Sequence, residues 1–205
     1  MRTIMCTLLC VMTSVAFAAD STTPTPAYYP ADANRGKARA LQCVACHGTA
    51  DLKLGTPPVS VPLLNGQRAE VIFYALRDYK NGARDNIVMA PIVAALSEQD
   101  MRDLGAYLSA SGPHMPKTFG ADTWAHEKVH RDCTACHGES GMGVMPGIPV
   151  LTGQHADYLT HALNAYRDGT RKNATMAKVA KKLSDDEIRK LAEYFAKQQH
   201  LELSK

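Results

Sequence analysis

The chain is expected to be all-α and built as one domain written twice. Three observations predict this. A constant offset of 87 residues aligns the second half on the first: Gln67 with Gln154, Leu76 with Leu163, Tyr79 with Tyr166, Gly82 with Gly169, Arg84 with Arg171, Met89 with Met176, Ser97 with Ser184 and Tyr107 with Tyr194. Apolar residues recur at helical spacing between Gly- and Pro-rich breaks. No segment alternates convincingly as a strand. The pattern is duplication of a domain rather than a short-period solenoid.

The elements follow in order. A helix from about Asn34 to Val44 opens the first half. A loop carrying Gly55, Pro57, Pro58 and Pro62 cannot continue it. A second helix runs from about Gln67 to Lys80, where Ile72, Leu76 and Tyr79 share a face and Gly82 stands at the C-terminal cap. A methionine-bearing loop around Met89 follows. Ser97, with Asp100 three residues on, opens the last helix, whose stripe is Met101, Leu104, Tyr107 and Leu108. The second half repeats this, with Ser184 and Glu187 as a capping box and Ile188, Leu191 and Phe195 as the stripe. Residues 111–116 (Ser-Gly-Pro-His-Met-Pro) form the linker, and the next helix is expected from near Asp122. The organisation is therefore a leader over 1–18 and domains over 19–111 and 112–205.

Each half carries the same pentapeptide type, Cys43-Val44-Ala45-Cys46-His47 and Cys133-Thr134-Ala135-Cys136-His137. This C-x-x-C-H spacing is the attachment signature of a c-type haem. Two thiols bind the porphyrin vinyl groups, and the adjacent histidine becomes the proximal iron ligand. Two copies imply two haem c groups in one chain. A zinc ribbon would use four thiolates together, but here 90 residues separate the pairs and each is followed by a histidine it would not need. A thioredoxin-type pair needs a βαβ context, which is missing.

The first 18 residues read as a secretory leader. Arg2 precedes an apolar stretch from Ile4 to Phe17, and Ala16-Phe17-Ala18 suits cleavage after Ala18, with Ala19 as the neighbouring alternative. That stretch is short for a membrane span, and Cys10 follows a bulky Leu9, which argues against a lipoprotein cysteine. Of six cysteines, two lie in the leader and four in the haem motifs. The expected compartment is the periplasm. Beyond the leader, 22 Lys plus Arg face 20 Asp plus Glu, a balance that excludes the strongly basic surface nucleic acid requires.

The sixth iron ligand separates a carrier from a catalyst, because histidine with methionine closes the coordination sphere and raises the potential. Met89 and Met176 occupy equivalent repeat positions, far enough past His47 and His137 to cross to the opposite haem face. Met142 and Met145 are too near His137 for that. His126, His130, His155 and His161 are the histidine rivals and read as surface or packing residues. The surroundings differ: Met89 sits among uncharged residues from Ile87 to Val93, whereas Lys178, Lys181 and Lys182 follow Met176 and Lys178 replaces Pro91. Such a lysine run is either a solvated helix edge or a dock for an acidic redox partner.

Taken together, the sequence resembles the dihaem cytochrome c4 family. The carrying features are the C-x-x-C-H-G motifs at Cys43 to Gly48 and Cys133 to Gly138, the segments Leu64-Asn65-Gly66-Gln67 and Leu151-Thr152-Gly153-Gln154, the run Tyr79 to Arg84, and Met89-Ala90-Pro91 through Leu96-Ser97. The resemblance spans nearly all of the chain past the leader. It implies two tandem class I cytochrome c domains related by a pseudo-twofold axis, with haem propionate edges facing across the interface, and a small residue, Gly36, packed against the aromatic Tyr107. The second half departs from this, with His126 at the equivalent of Gly36, facing Tyr194.

The expected function is a periplasmic electron carrier, not an enzyme, delivering electrons to a terminal oxidase and accepting them from a quinol-oxidising complex or another donor, with peripheral membrane association open. Cys43, Cys46, Cys133 and Cys136 would anchor the haems, and His47, Met89, His137 and Met176 would be the axial ligands. Two alternatives stand beside it: a dihaem subunit of a dehydrogenase of the flavocytochrome sulfide type, and a catalytic dihaem thiosulfate dehydrogenase.

Overall fold

The computed structural model describes residues 30–48, 52–111 and 128–198, with side chains in the first helix of the second half described from Arg131 onward. The leader, the linker beyond Ser111, the expected helix start near Asp122 and His126 lie outside these residues. The first half contains α1 (Ala33–Arg39), α2 (Leu41–His47), β1 (Lys53–Leu54), β2 (Val59–Ser60), α3 (Ala69–Lys80), α4 (Met89–Ala94) and α5 (Glu98–Ala110). The second contains α6 (Lys128–His137), α7 (Ala156–Asp168), α8 (Ala174–Ala180) and α9 (Asp185–Lys197).

The opening helix is two pieces. Asp32 caps α1 by accepting from the backbone N–H groups of Asn34 and Arg35, and the chain turns at Ala40 before α2 carries the first cysteine pair. The Pro-rich loop holds a two-residue antiparallel hairpin, Lys53 opposite Ser60 and Leu54 opposite Val59. Both closing helices begin with full capping boxes, Ser97 with Asp100 and Ser184 with Glu187. Gly82 (φ 73°) and Gly169 (φ 85°) follow α3 and α7 in the left-handed region, where a side chain would be strained.

α5 packs on α1 and α3, and α9 packs on α7. The first core gathers Ile72, Leu76, Val93, Met101, Leu104 and Leu108. The second gathers Leu159, Leu183, Ile188, Leu191, Tyr194 and Phe195. Leu104 and Leu191 are each 1% exposed, and burying a side chain of that kind contributes about 2 kcal/mol. Gly36 lies where α1 crosses α5: a Cβ there would sit 2.0 Å from the Asp103 carbonyl oxygen and 2.9 Å from Tyr107 Cβ. The expected packing of Gly36 on Tyr107 is therefore present. Arg35 clamps the same crossing, its Nε donating to Asp103 Oδ2 at 2.7 Å.

The halves meet through repeat-equivalent residues. Gln67 Nε2 donates to the Val150 carbonyl (2.9 Å) and its Oε1 accepts from Val150 N–H (2.9 Å). Gln154 Nε2 donates to the Leu63 carbonyl (3.0 Å) and its Oε1 accepts from Leu63 N–H (3.0 Å). Arg84 and Arg171 form an antiparallel backbone bridge. A single antiparallel exchange between matching residues is what a pseudo-twofold axis produces.

Candidate haem sites

α2 presents Cys43, Cys46 and His47 on the wall of a cavity of about 340 Å³, and Met89 at the start of α4 lines the same cavity. Its other walls are largely apolar, including Ile72, Leu76, Leu104 and Leu108. Tyr158, His161 and Arg171 reach it from the second half. The donor set fits a covalently held haem: two thiols and an imidazole on one helix, a thioether on another, and apolar walls for the ring faces. Arg84 and Arg171 add fixed positive charge toward the interface.

His47 Nδ1 donates to the Pro62 carbonyl at 2.7 Å. His137 Nδ1 donates to the Pro149 carbonyl at 3.1 Å, and its ring is 7% exposed. A carbonyl only accepts, so in both rings Nδ1 carries the proton and Nε2 is left for a metal. Burial lowers the basicity of both imidazoles, which keeps them neutral; the carbonyls oppose this only in part. Burial also raises both first cysteines, Cys133 to about 11, with Asp132 adding to the second. Thiols held neutral in this way are unlike the low-pKa pair of a disulfide oxidoreductase. Among the described residues no three His, Cys, Asp or Glu side chains gather as a metal cluster, so the two cysteine pairs do not meet in a zinc ribbon.

Both methionines stand on helices, not in the loops expected for them. Met89 is the first residue of α4 and Met176 the third of α8. Pro91 is compatible with helix because it falls in the first turn, where its missing N–H has no intrahelical partner to lose. Asn86 Oδ1 accepts from Met89 N–H (2.9 Å) and Asn173 Oδ1 from Met176 N–H (3.0 Å). These asparagines position the methionines: Asn173 is the N-cap of α8, and Asn86, three residues before Met89, also accepts from Val88 N–H at 3.0 Å. Met142 is 8% exposed and Met145 is 55% exposed. His155 precedes α7 with Nε2 buried and unbonded. His161 lines the first-half cavity.

Between the halves, Arg84 Nη2 donates to Tyr158 Oη at 2.8 Å and its guanidinium lies 4.5 Å from the Tyr79 ring centre. Arg171 stacks in the same way on Tyr166, at 4.5 Å. Burial tends to raise the Tyr158 phenol, but Arg84 and Arg171 outweigh it and draw it below its ordinary value. Burial pushes Tyr79 up to about 12. Tyr158 has no symmetric partner, since Val71 holds its repeat position.

Residues 127–199 match the cytochrome c family. The chain is 40% identical over 172 residues to a thiosulfate dehydrogenase electron acceptor of Stutzerimonas stutzeri, covering 77% of this chain and 79% of that one. It is 33% identical over 182 residues to cytochrome c4 of Pseudomonas aeruginosa, covering 82% and 89%. The crystal structure of reduced cytochrome c4 from Pseudomonas stutzeri superposes with a TM-score of 0.65 at 30% identity, covering 81% of this chain and 98% of that one. With the all-α fold, the doubled cysteine–histidine motif and these likenesses in place, the chain belongs to the dihaem cytochrome c4 family, whose members carry covalently bound haem c and act as electron carriers.

Proposed function

We propose that this protein is a periplasmic carrier that takes electrons from a dehydrogenase of the thiosulfate-oxidising type and passes them to a terminal oxidase. The observation that carries the electron source is the 40% identity to a protein named for accepting electrons from thiosulfate dehydrogenase. Cys43 and Cys46 anchor one haem and Cys133 and Cys136 the other, within domains spanning 19–111 and 112–205. His47 and Met89 would hold the iron of the first, and His137 and Met176 the iron of the second. The bound groups supply one-electron Fe(III)/Fe(II) chemistry.

The protein's own residues fix ligand and environment. Pro62 and Pro149 carbonyls hold the imidazole tautomer and aim Nε2. Asn86 and Asn173 fix the backbone of the two methionines. The apolar wall keeps water away. Two occupied methionine positions would leave no open iron site for a substrate, which favours a carrier over a catalyst.

The test is the optical spectrum of the purified holoprotein, oxidised and reduced, with and without carbon monoxide, followed by its reduction by thiosulfate with thiosulfate dehydrogenase. A near-infrared methionine–ferric band from both haems, no carbon monoxide binding and rapid enzymatic reduction are expected. Carbon monoxide binding to either haem would overturn the carrier assignment at that centre. Reduction no faster than with thiosulfate alone would overturn the proposed donor.

A further inference from the structure

The hydrogen bonds behind the two histidines and the contacts between the halves run through the same peptide groups. His47 Nδ1 donates to the Pro62 carbonyl at 2.7 Å, and that carbonyl is joined to the nitrogen of Leu63. The Leu63 N–H donates in turn to Gln154 Oε1, across the interface, at 3.0 Å. The second half repeats the arrangement. His137 Nδ1 donates to the Pro149 carbonyl at 3.1 Å, and the N–H of the same peptide, from Val150, donates to Gln67 Oε1 at 2.9 Å. Each imidazole is therefore linked through one peptide group to a glutamine of the opposite half.

Both amides are locked in this orientation. Gln67 Oε1 also accepts from the Arg68 N–H (2.9 Å), and Gln154 Oε1 from the His155 N–H (3.1 Å). Their Nε2 groups donate to the Val150 and Leu63 carbonyls. Backbone N–H groups need an oxygen and carbonyls need a donor, so a flipped amide would lose all three bonds. Gln154 is buried and Gln67 half-buried, which limits competition from water. A peptide whose N–H is hydrogen-bonded carries more negative charge on its oxygen, because resonance joins the two ends and successive bonds polarise one another. The better acceptor draws on the imidazole Nδ1–H and makes Nε2 a stronger ligand. A stronger ligand favours ferric over ferrous iron.

We propose that Gln67 and Gln154 are positioning residues for electron transfer, each lowering the reduction potential of the haem in the opposite half. Gln67 acts on the second-half haem through Val150, Pro149 and His137, and Gln154 on the first-half haem through Leu63, Pro62 and His47. The step they bias is the passage of one electron from a redox partner, which is oxidised by one, to ferric iron, which becomes ferrous; no bond breaks and no proton leaves the relay. The docked state of the two halves thereby enters both potentials. The inference rests on His47 and His137 being the proximal ligands.

The experiment is a redox titration of the holoprotein followed by NMR, reading each haem through its methionine methyl signal, assigned with Met89→Ala and Met176→Ala, and each proximal histidine through its Nδ1–H signal in the reduced, diamagnetic protein. Gln67→Met keeps the side-chain length and removes the acceptor. It should shift the reduction equilibrium of the second-half haem about threefold toward ferrous and that of the first-half haem by less than about 1.5-fold. The His137 Nδ1–H signal should move upfield as its hydrogen bond weakens. Gln154→Met should do the same to the first-half haem and His47. Gln67→Glu, which keeps an acceptor and makes it anionic, should move the second-half haem toward ferric, and it carries the test should Gln67→Met not retain both haems. Both haems shifting together in a single variant would reduce the effect to an opened interface and overturn the relay, as would potentials that do not move while the methyl signals are in place. If the proximal Nδ1–H signals prove to belong to other histidines, the ligand reading falls and the relay with it.

Discussion

Gln67 and Gln154 hold the two halves together by making the same pair of hydrogen bonds in opposite directions, each amide clasping the backbone N–H and carbonyl of one residue of the other half at 2.9–3.0 Å. Removing either amide strands a partly buried N–H and carbonyl. Gln67→Ala and Gln154→Ala should each cost about 2 kcal/mol, read as a lowered thermal midpoint of the holoprotein. The double variant should lose less than the sum, because the second clasp faces an interface already opened. Single losses under about 0.5 kcal/mol would remove the clasp from the list of stabilising contacts.

Acid should loosen the same interface through Asp157. Burial pushes this carboxyl up, but hydrogen bonds from Ser60 and Lys53 prevail and hold it at about 2, below the ordinary 3.8. Because the folded value lies below the unfolded one, the contribution is complete above about pH 4 and disappears as pH falls toward 2. Asp157→Asn should therefore lower the thermal midpoint at pH 5 and flatten its decline below pH 4. Parallel curves for variant and parent would show that the group does not report on folding.

Met89→Ala and Met176→Ala should each abolish half of the near-infrared methionine–ferric band and open one haem to carbon monoxide. Asn86→Ala and Asn173→Ala keep the sulfur but release its backbone, so the band should weaken without carbon monoxide binding. If Met176→Ala leaves the spectrum intact, another residue holds the second iron.

Gly36→Val should destabilise by about 3 kcal/mol or prevent haem incorporation, because even the Cβ meets the Asp103 carbonyl and overpacking of a tight crossing cannot relax cheaply. Gly36→Ala should show most of the same loss. A holoprotein that tolerates valine with an unchanged melting curve would mean that α1 is free to shift.

Much of this was legible because the chain repeats. The offset that pairs Gln67 with Gln154 and Met89 with Met176 reappears in the hydrogen bonds: Pro62 with Pro149, Asn86 with Asn173. Caps at Ser97 and Ser184 are local chemistry, visible in four residues. The break at Ala40 was not, since Ala favours helix and the turn comes from packing α1 on α5. Nor was the helicity around Met89 and Met176: Pro91 and six- or seven-residue length read as loop, while the Asn86 and Asn173 side chains that hold the methionine N–H groups act through geometry. The hairpin over Lys53–Ser60 has two-residue strands, too short for any alternation to show. The Tyr158 contact with Arg84 joins residues 74 apart, and no local pattern reports such a distance.

The reciprocal glutamine clasp makes the interface self-complementary: each half displays both the amide that grips and the peptide that is gripped. A lone half therefore carries both sides of that clasp. A pair of separate, identical single-haem chains could have used this surface before any linker joined them, and later divergence, as at Tyr158 opposite Val71, would then be the mark of two copies freed from having to stay alike.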